Sequence, residues 1–149
     1  MNKIMIVLMG LCATAVWAGT QLQAESGWVR AVPPGQQVTA AFVSIKNPTA
    51  QRCAIISAQS SAAEKIELHR HIHSDGMMRM RPVPSVPLPA MGQVEFAPGG
   101  YHMMMFGVDR EINHSDKVVI VLHTDHCGQV RVEAQVRMPF GDNKHRGVH

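Results

Sequence analysis

Between Val130 and Val136 every second residue is apolar: Val130, Val132, Ala134 and Val136 alternate with Arg131, Glu133 and Gln135. A repeat of two is the repeat of a strand with one wet and one buried face. A helix cannot use it, because helical side chains return to one face only after three or four residues. The pattern recurs along the chain. Thr39–Lys46 sets Ala41, Val43 and Ile45 against Phe42, Ser44 and Lys46, and Lys65–His69 turns Ile66 and Leu68 inward and His69 outward. Tyr101–Phe106 places His102 and Met104 on one face and Met103 and Met105 on the other. Trp28–Arg30, Arg52–Ala58 and Gln93–Phe96 read as further short strands. The β-branched run Lys117–His123 is expected at the centre of the fold. Turn signals separate these segments, among them Pro33-Pro34-Gly35, Asn47-Pro48, the hairpin pair Asp75-Gly76, and Pro98-Gly99-Gly100. Pro82, Pro84, Pro87 and Pro89 restrict the piece that holds them to an edge strand or loop. The sum is an all-β chain of about seven to nine short strands, a sandwich or barrel.

At 149 residues the chain is long enough for one domain with a substantial core. Residues 1–24 read as a secretory signal: Lys3 is followed by the apolar run Ile4–Val16, and small-residue cleavage sites follow at Val16-Trp17-Ala18 and Leu22-Gln23-Ala24. The apolar run falls short of the ~20 residues that span a bilayer, so stable membrane insertion after signal removal is not expected. Cys12 lies within this run, but Met9-Gly10-Leu11 lacks the small residue that precedes a lipidated cysteine. The folded domain is expected over 25–140, with a polar, flexible tail over 141–149. The formal charge of +3 comes from scattered basic residues without a run, which argues against nucleic acid as a partner. Past the signal, Cys53 and Cys127 are a pair that an oxidising compartment could bridge; two buried thiols or an additional metal ligand are the alternatives.

The unusual feature is 11 Met and 9 His beside 3 Cys. His69-X10-Met80-X21-His102-X-Met104 gathers two imidazoles and two thioethers around the Pro-Gly-Gly turn. These donors carry no permanent charge and are soft to borderline, a set that suits copper(I) better than zinc, calcium or magnesium. A thioether also needs no deprotonation to bind and resists the disulfide formation that consumes thiolates outside the cytosol. His102 and Met104 stand two apart on one strand, about 7 Å from each other along it. His69 and Met80 flank the hairpin. All four are candidate ligands for one copper(I) per monomer. His71 and His73 share the face of His69, and His145 and His149 lie in the tail; each could take copper(II), although a solvated imidazole is the simpler account of each. Met77, Met103 and Met105 read as packing residues.

The spacing of His69, Met80, His102 and Met104 resembles the motif of the PCu(A)C periplasmic copper chaperones. The likeness extends from Trp28-Val29-Arg30 and Pro33-Pro34-Gly35 through Asn47, Glu67-Leu68-His69 and Pro98-Gly99-Gly100 to the last valine strand. It implies a cupredoxin-like Greek-key sandwich or barrel in the periplasm. It further implies a surface copper(I) site and delivery to the copper A centre of cytochrome c oxidase, through an oxidase subunit or its assembly factors. The segment His123-Thr124-Asp125-His126-Cys127 departs from the ending associated with that family, and the cysteine pair is not part of its motif.

Rival functions are weaker. A blue-copper electron carrier requires a thiolate beside two imidazoles and an axial thioether, and neither Cys53 nor Cys127 neighbours the His102-X-Met104 pair. An enzyme is not expected, since the chain has no nucleophile elbow, no His-Glu-X-X-His and no paired carboxylates. Copper buffering or resistance would use the same donors for a different end.

Overall fold

The computed structural model describes residues 22–108 and 112–138. The expected signal up to residue 21, with Cys12, and the expected tail, with His145 and His149, lie outside them. Among the described residues there are ten strands, one more than the upper sequence expectation: β1 (Gln23–Arg30), β2 (Val38–Asn47), β3 (Cys53–Gln59), β4 (Lys65–Ser74), β5 (Met77–Pro82), β6 (Val86–Leu88), β7 (Gly92–Phe96), β8 (Tyr101–Phe106), β9 (Lys117–Thr124) and β10 (Gln129–Arg137). They form one sheet in the order β5-β4-β8-β7-β2-β1-β10-β9-β3-β6, with β8 also pairing β2. Most neighbours run antiparallel; β1 pairs β10, and β7 pairs β8, in parallel. The sheet curls until β3 and β4 flank a common cleft lined by Ile56, Ser57, Ile66 and Leu68. The result is the all-β fold that the strand pattern leads one to expect, with the cupredoxin-like architecture that the family resemblance implies.

Alternation does most of the building. β10 alternates exposed and buried residues without a break, and Val130, Val132, Ala134 and Val136 all enter the core. On β8 the buried Met103 and Met105 face inward, beside Leu68 of β4 and Ala41 of β2. Each such side chain removed from water stabilises the fold by roughly 1.5–3 kcal/mol. The extra strand is β6, three residues that pair with β3 at the edge of the sheet, where Pro87 costs no ladder bond. β9 is not central: it lies third from the β6 edge, with Val118, Ile120 and Leu122 in the core and Val119 and Val121 half-buried on the other face.

β1 is longer than expected. It starts at Gln23, opposite Lys46, and Leu22 before it is buried in the core. A register shift between Glu25 and Trp28 interrupts the alternation there, with Ser26 at φ 55°. Gly27 sits against β10 so closely that a Cβ would lie 2.6 Å from a methyl of Val132. Asn47 pins the loop after β2: its Nδ2 donates to the carbonyls of Gln51 and Pro89, and its Oδ1 accepts from Thr49. Cys53, at the start of β3, and Cys127, before the Gly128 turn into β10, are joined in a disulfide across 74 residues, with Cα atoms 6.1 Å apart.

Candidate metal centre

Three adjacent strands carry the candidate donors on the outer face of the sheet. The β4–β8 ladder sets His69 directly opposite His102 and Glu67 directly opposite Met104. The β4–β5 ladder sets Met80 opposite His71 and Met78 opposite His73. Since side chains alternate along a strand, His69, His71, His73, Met78, Met80, His102 and Met104 all leave the same side of the sheet. The Asp75-Gly76 turn, with φ values of 53° and 73°, has the two left-handed residues of a type I′ hairpin and fixes the β4–β5 register.

The ladders bring three of the four expected ligands together. His69 and His102 have ring centroids 5.7 Å apart, and Met104 follows His102 on the same face. Met80 lies one strand farther out, half-exposed and in register with His71 rather than His69. The ring of His71 is nearer to His102 than that of His69 is, at 4.9 Å between centroids. His71 is half-buried, not the fully solvated side chain that its sequence context favours. Alternation places His71 on the face of His69, but its nearness to His102 follows from the β4–β8 register, which no local stretch of sequence records. Among the described residues, no three His, Cys, Asp or Glu side chains are grouped so that they could hold a metal ion. A site with three or more protein donors on this face would therefore draw on thioether sulfur.

The imidazoles are oriented by their neighbours. The Glu67 carboxylate receives Lys65 Nζ at 2.7 Å and His69 Nε2 at 2.9 Å. Those two hydrogen bonds, the one from Lys65 first, hold Glu67 below the usual carboxylate pKa. An ionised carboxylate can only accept, so Nε2 of His69 carries the hydrogen. His102 donates Nδ1–H to the Gly100 carbonyl at 3.1 Å. His102 is only 2% exposed, and burial is the main cause that pushes its pKa below the usual histidine value, which keeps the ring neutral at pH 7. What remains is three buried ring nitrogens without a hydrogen-bond partner: Nδ1 of His69, Nδ1 of His71 and Nε2 of His102. A buried polar atom left unpaired costs about 1–3 kcal/mol. On His69 and His102, whose other ring nitrogens carry the hydrogen, the unpartnered nitrogens hold lone pairs that a soft cation could share with thioether sulfur. Farther along this face, Trp28 stacks on Phe42 at 4.3 Å and adds an apolar flank.

Comparison with known proteins places the chain. The LpqE-like family model matches residues 22–136. A relative from Leifsonia xyli subsp. xyli (strain CTCB07), described as "Putative lipoprotein Lxx21020", is 30% identical over 149 residues, covering 93% of this chain and 89% of its own. Among solved structures, CuI-DR1885 from Deinococcus radiodurans superposes with a TM-score of 0.63 at 29% identity, over 83% of this chain and 85% of that one. The copper-bound PCuAC domain from PmoF2 shares the fold, with a TM-score of 0.66 at 19% identity over 79% of this chain and 93% of that one.

Proposed function

The chain belongs to the LpqE-like family, the family of PCu(A)C domains, and on that premise we propose that it is an exported copper(I) chaperone. Copper(I) is the cargo, one ion per chain, held at the β4–β8 face by His69, His102, Met104 and Met80. The observation that carries this reading is the trio of buried, unpartnered ring nitrogens on His69, His71 and His102. The neutral, thioether-containing donor set favours the +1 ion, and the copper(I) form described for DR1885 supports that oxidation state.

The chain's own groups do the orienting. Glu67 and the Gly100 carbonyl hold the hydrogens of two imidazoles away from the metal and leave the opposite lone pairs to it. Met80 is 51% exposed while the imidazole nitrogens are buried, so an incoming ligand can begin the exchange at the Met80 side. That is the requirement for release by ligand exchange, and no chemical reaction is needed. Both described cysteines are consumed in the disulfide, which weakens the blue-copper alternative, since that centre needs a thiolate. The acceptor in this proposal is the copper A site of a respiratory oxidase, reached directly or through an assembly factor.

Export is part of the proposal. Because Leu22 is buried and Gln23 already pairs with Lys46, cleavage after Ala18, or acylation of Cys12, keeps β1 whole, whereas cleavage after Ala24 would cut into it. The "lipoprotein" description of the Leifsonia relative favours an anchor. For either form the location we propose is the periplasm.

The test is a copper(I) titration of the mature protein against a chromogenic chelator, beside the His69→Ala/Met80→Leu variant. One tight equivalent in the parent that the variant loses is the expected result. A parent without tight binding would overturn the proposal.

A further inference from the structure

The β4–β5 hairpin runs past the strand that supports it. β8 accompanies β4 only as far as the Arg70–Tyr101 pair, so Ile72–Ser74 and Met77–Arg79 form a two-stranded ribbon. All six residues of β5 are exposed. Such a ribbon gains little from burial, and thioether side chains left in water on it do no packing work. Met78 is 54% and Met80 51% exposed.

The ribbon sorts its side chains by chemistry. His71, His73, Met78 and Met80 occupy one face, and Arg70, Arg79 and Arg81 occupy the other. The pairing geometry brings the soft donors close. The backbone N–H of His71 is directed at the carbonyl of Gly100, just before β8, 3.2 Å away, so it does not serve β5. His71–Met80 and His73–Met78 are therefore non-hydrogen-bonded pairs, in which Cα atoms approach to about 4.5 Å and side chains lie closest. The sequence element Met77-Met78-Arg79-Met80 thus has a second use beyond the one thioether given to the sheet base.

We propose that His73 and Met78 form a second, weaker soft-metal site at the hairpin tip. It takes copper(I), or silver(I) as its redox-inert analogue, through one imidazole nitrogen and one thioether sulfur. His71, two residues inward on the same face and 4.9 Å from His102 by ring centroid, links the tip to the sheet base. The tip is then an outer station for the ion on its way to or from the tight site. This inference rests on the copper(I) reading of the base.

The experiment follows methionine methyl resonances during a silver(I) titration of the mature chain, of His73→Ala and of Met78→Leu. All three should fold alike, since both positions are exposed. The Met104 methyl is expected to shift with the first equivalent and the Met78 methyl with a second, weaker one, which both variants lose while keeping the first. A Met78 methyl that stays unmoved through two equivalents, or a second equivalent that survives in either variant, overturns the tip site alone. A Met104 methyl that never moves overturns the base reading.

Discussion

The carboxylate of Glu67 takes the Nε2–H of His69 at 2.9 Å and so decides which nitrogen of that ring is left with a lone pair. The arrangement costs no folded-state rearrangement when a metal arrives, since the tautomer is already set. Partners of metal-bound histidines are typically worth about 10–100-fold in affinity. Glu67→Ala is expected to weaken copper(I) binding within that range, and Glu67→Gln, which retains a carbonyl acceptor, by less. Chelator competition measures both; equal affinities in all three proteins would leave Glu67 without a role at the site.

Met104→Leu removes the sulfur and nearly preserves volume, a swap that costs a core less than about 1.5 kcal/mol. Copper(I) affinity should fall by orders of magnitude while the thermal midpoint followed by circular dichroism barely moves. His71→Ala should lower affinity by about tenfold, as expected of a group that supports the ligands even if it is not the strongest of them. Unchanged affinity in His71→Ala would leave that half-buried ring without a part in copper binding.

The disulfide between Cys53 and Cys127 closes 74 residues of sequence. Restricting the unfolded chain over a loop of that length stabilises the native state by about 2–5 kcal/mol. Cys53→Ser/Cys127→Ser should lose that amount in denaturant titrations, with copper(I) affinity preserved because the bridge joins the β3 and β9–β10 flank. A variant as stable as the parent would show that the loop is already constrained without it.

Acid should loosen the same flank. Asp125 Oδ1 accepts the backbone N–H groups of Ala54 and His126, each at 2.9 Å. The Ala54 bond is the main cause that lowers the Asp125 pKa, with His126 adding to it. A carboxyl whose folded pKa is lowered contributes stability above its unfolded value, near 3.9, and that contribution fades as pH falls through this value and on through the folded one. Urea midpoints of the parent should therefore drop below about pH 4 more steeply than those of Asp125→Asn. Parallel curves would remove Asp125 from the acid response.

Much of this fold could be read from the chain because it is written in local alternation. β8 spans Tyr101–Phe106 as the pattern predicts, and the Asp75-Gly76 turn forms the hairpin its dipeptide signals. The parts that escaped are non-local. β6 is three residues long and exists only because β3 offers it an edge. The start of β1 is hidden by the irregularity at Ser26 and Gly27, which breaks the repeat where a strand would otherwise be recognised. At the site, spacing alone selects His69, Met80, His102 and Met104. The nearness of His71 to His102 comes from the register of the β4–β8 ladder, and no single stretch of sequence records it.

β5 is one of the two edge strands, and none of its six residues is buried. Segments with so little burial open at a small fraction of the global unfolding free energy, so their amides trade hydrogen with solvent first. An ion held jointly by Met80 on β5 and His102 on β8 would stitch this loose margin to the interior, and each opening would then have to break a metal bond. Cargo would thus be legible as silence: the loaded protein should protect β5 amides that the empty one lets exchange, and a receptor that senses hairpin mobility could tell a full carrier from a spent one.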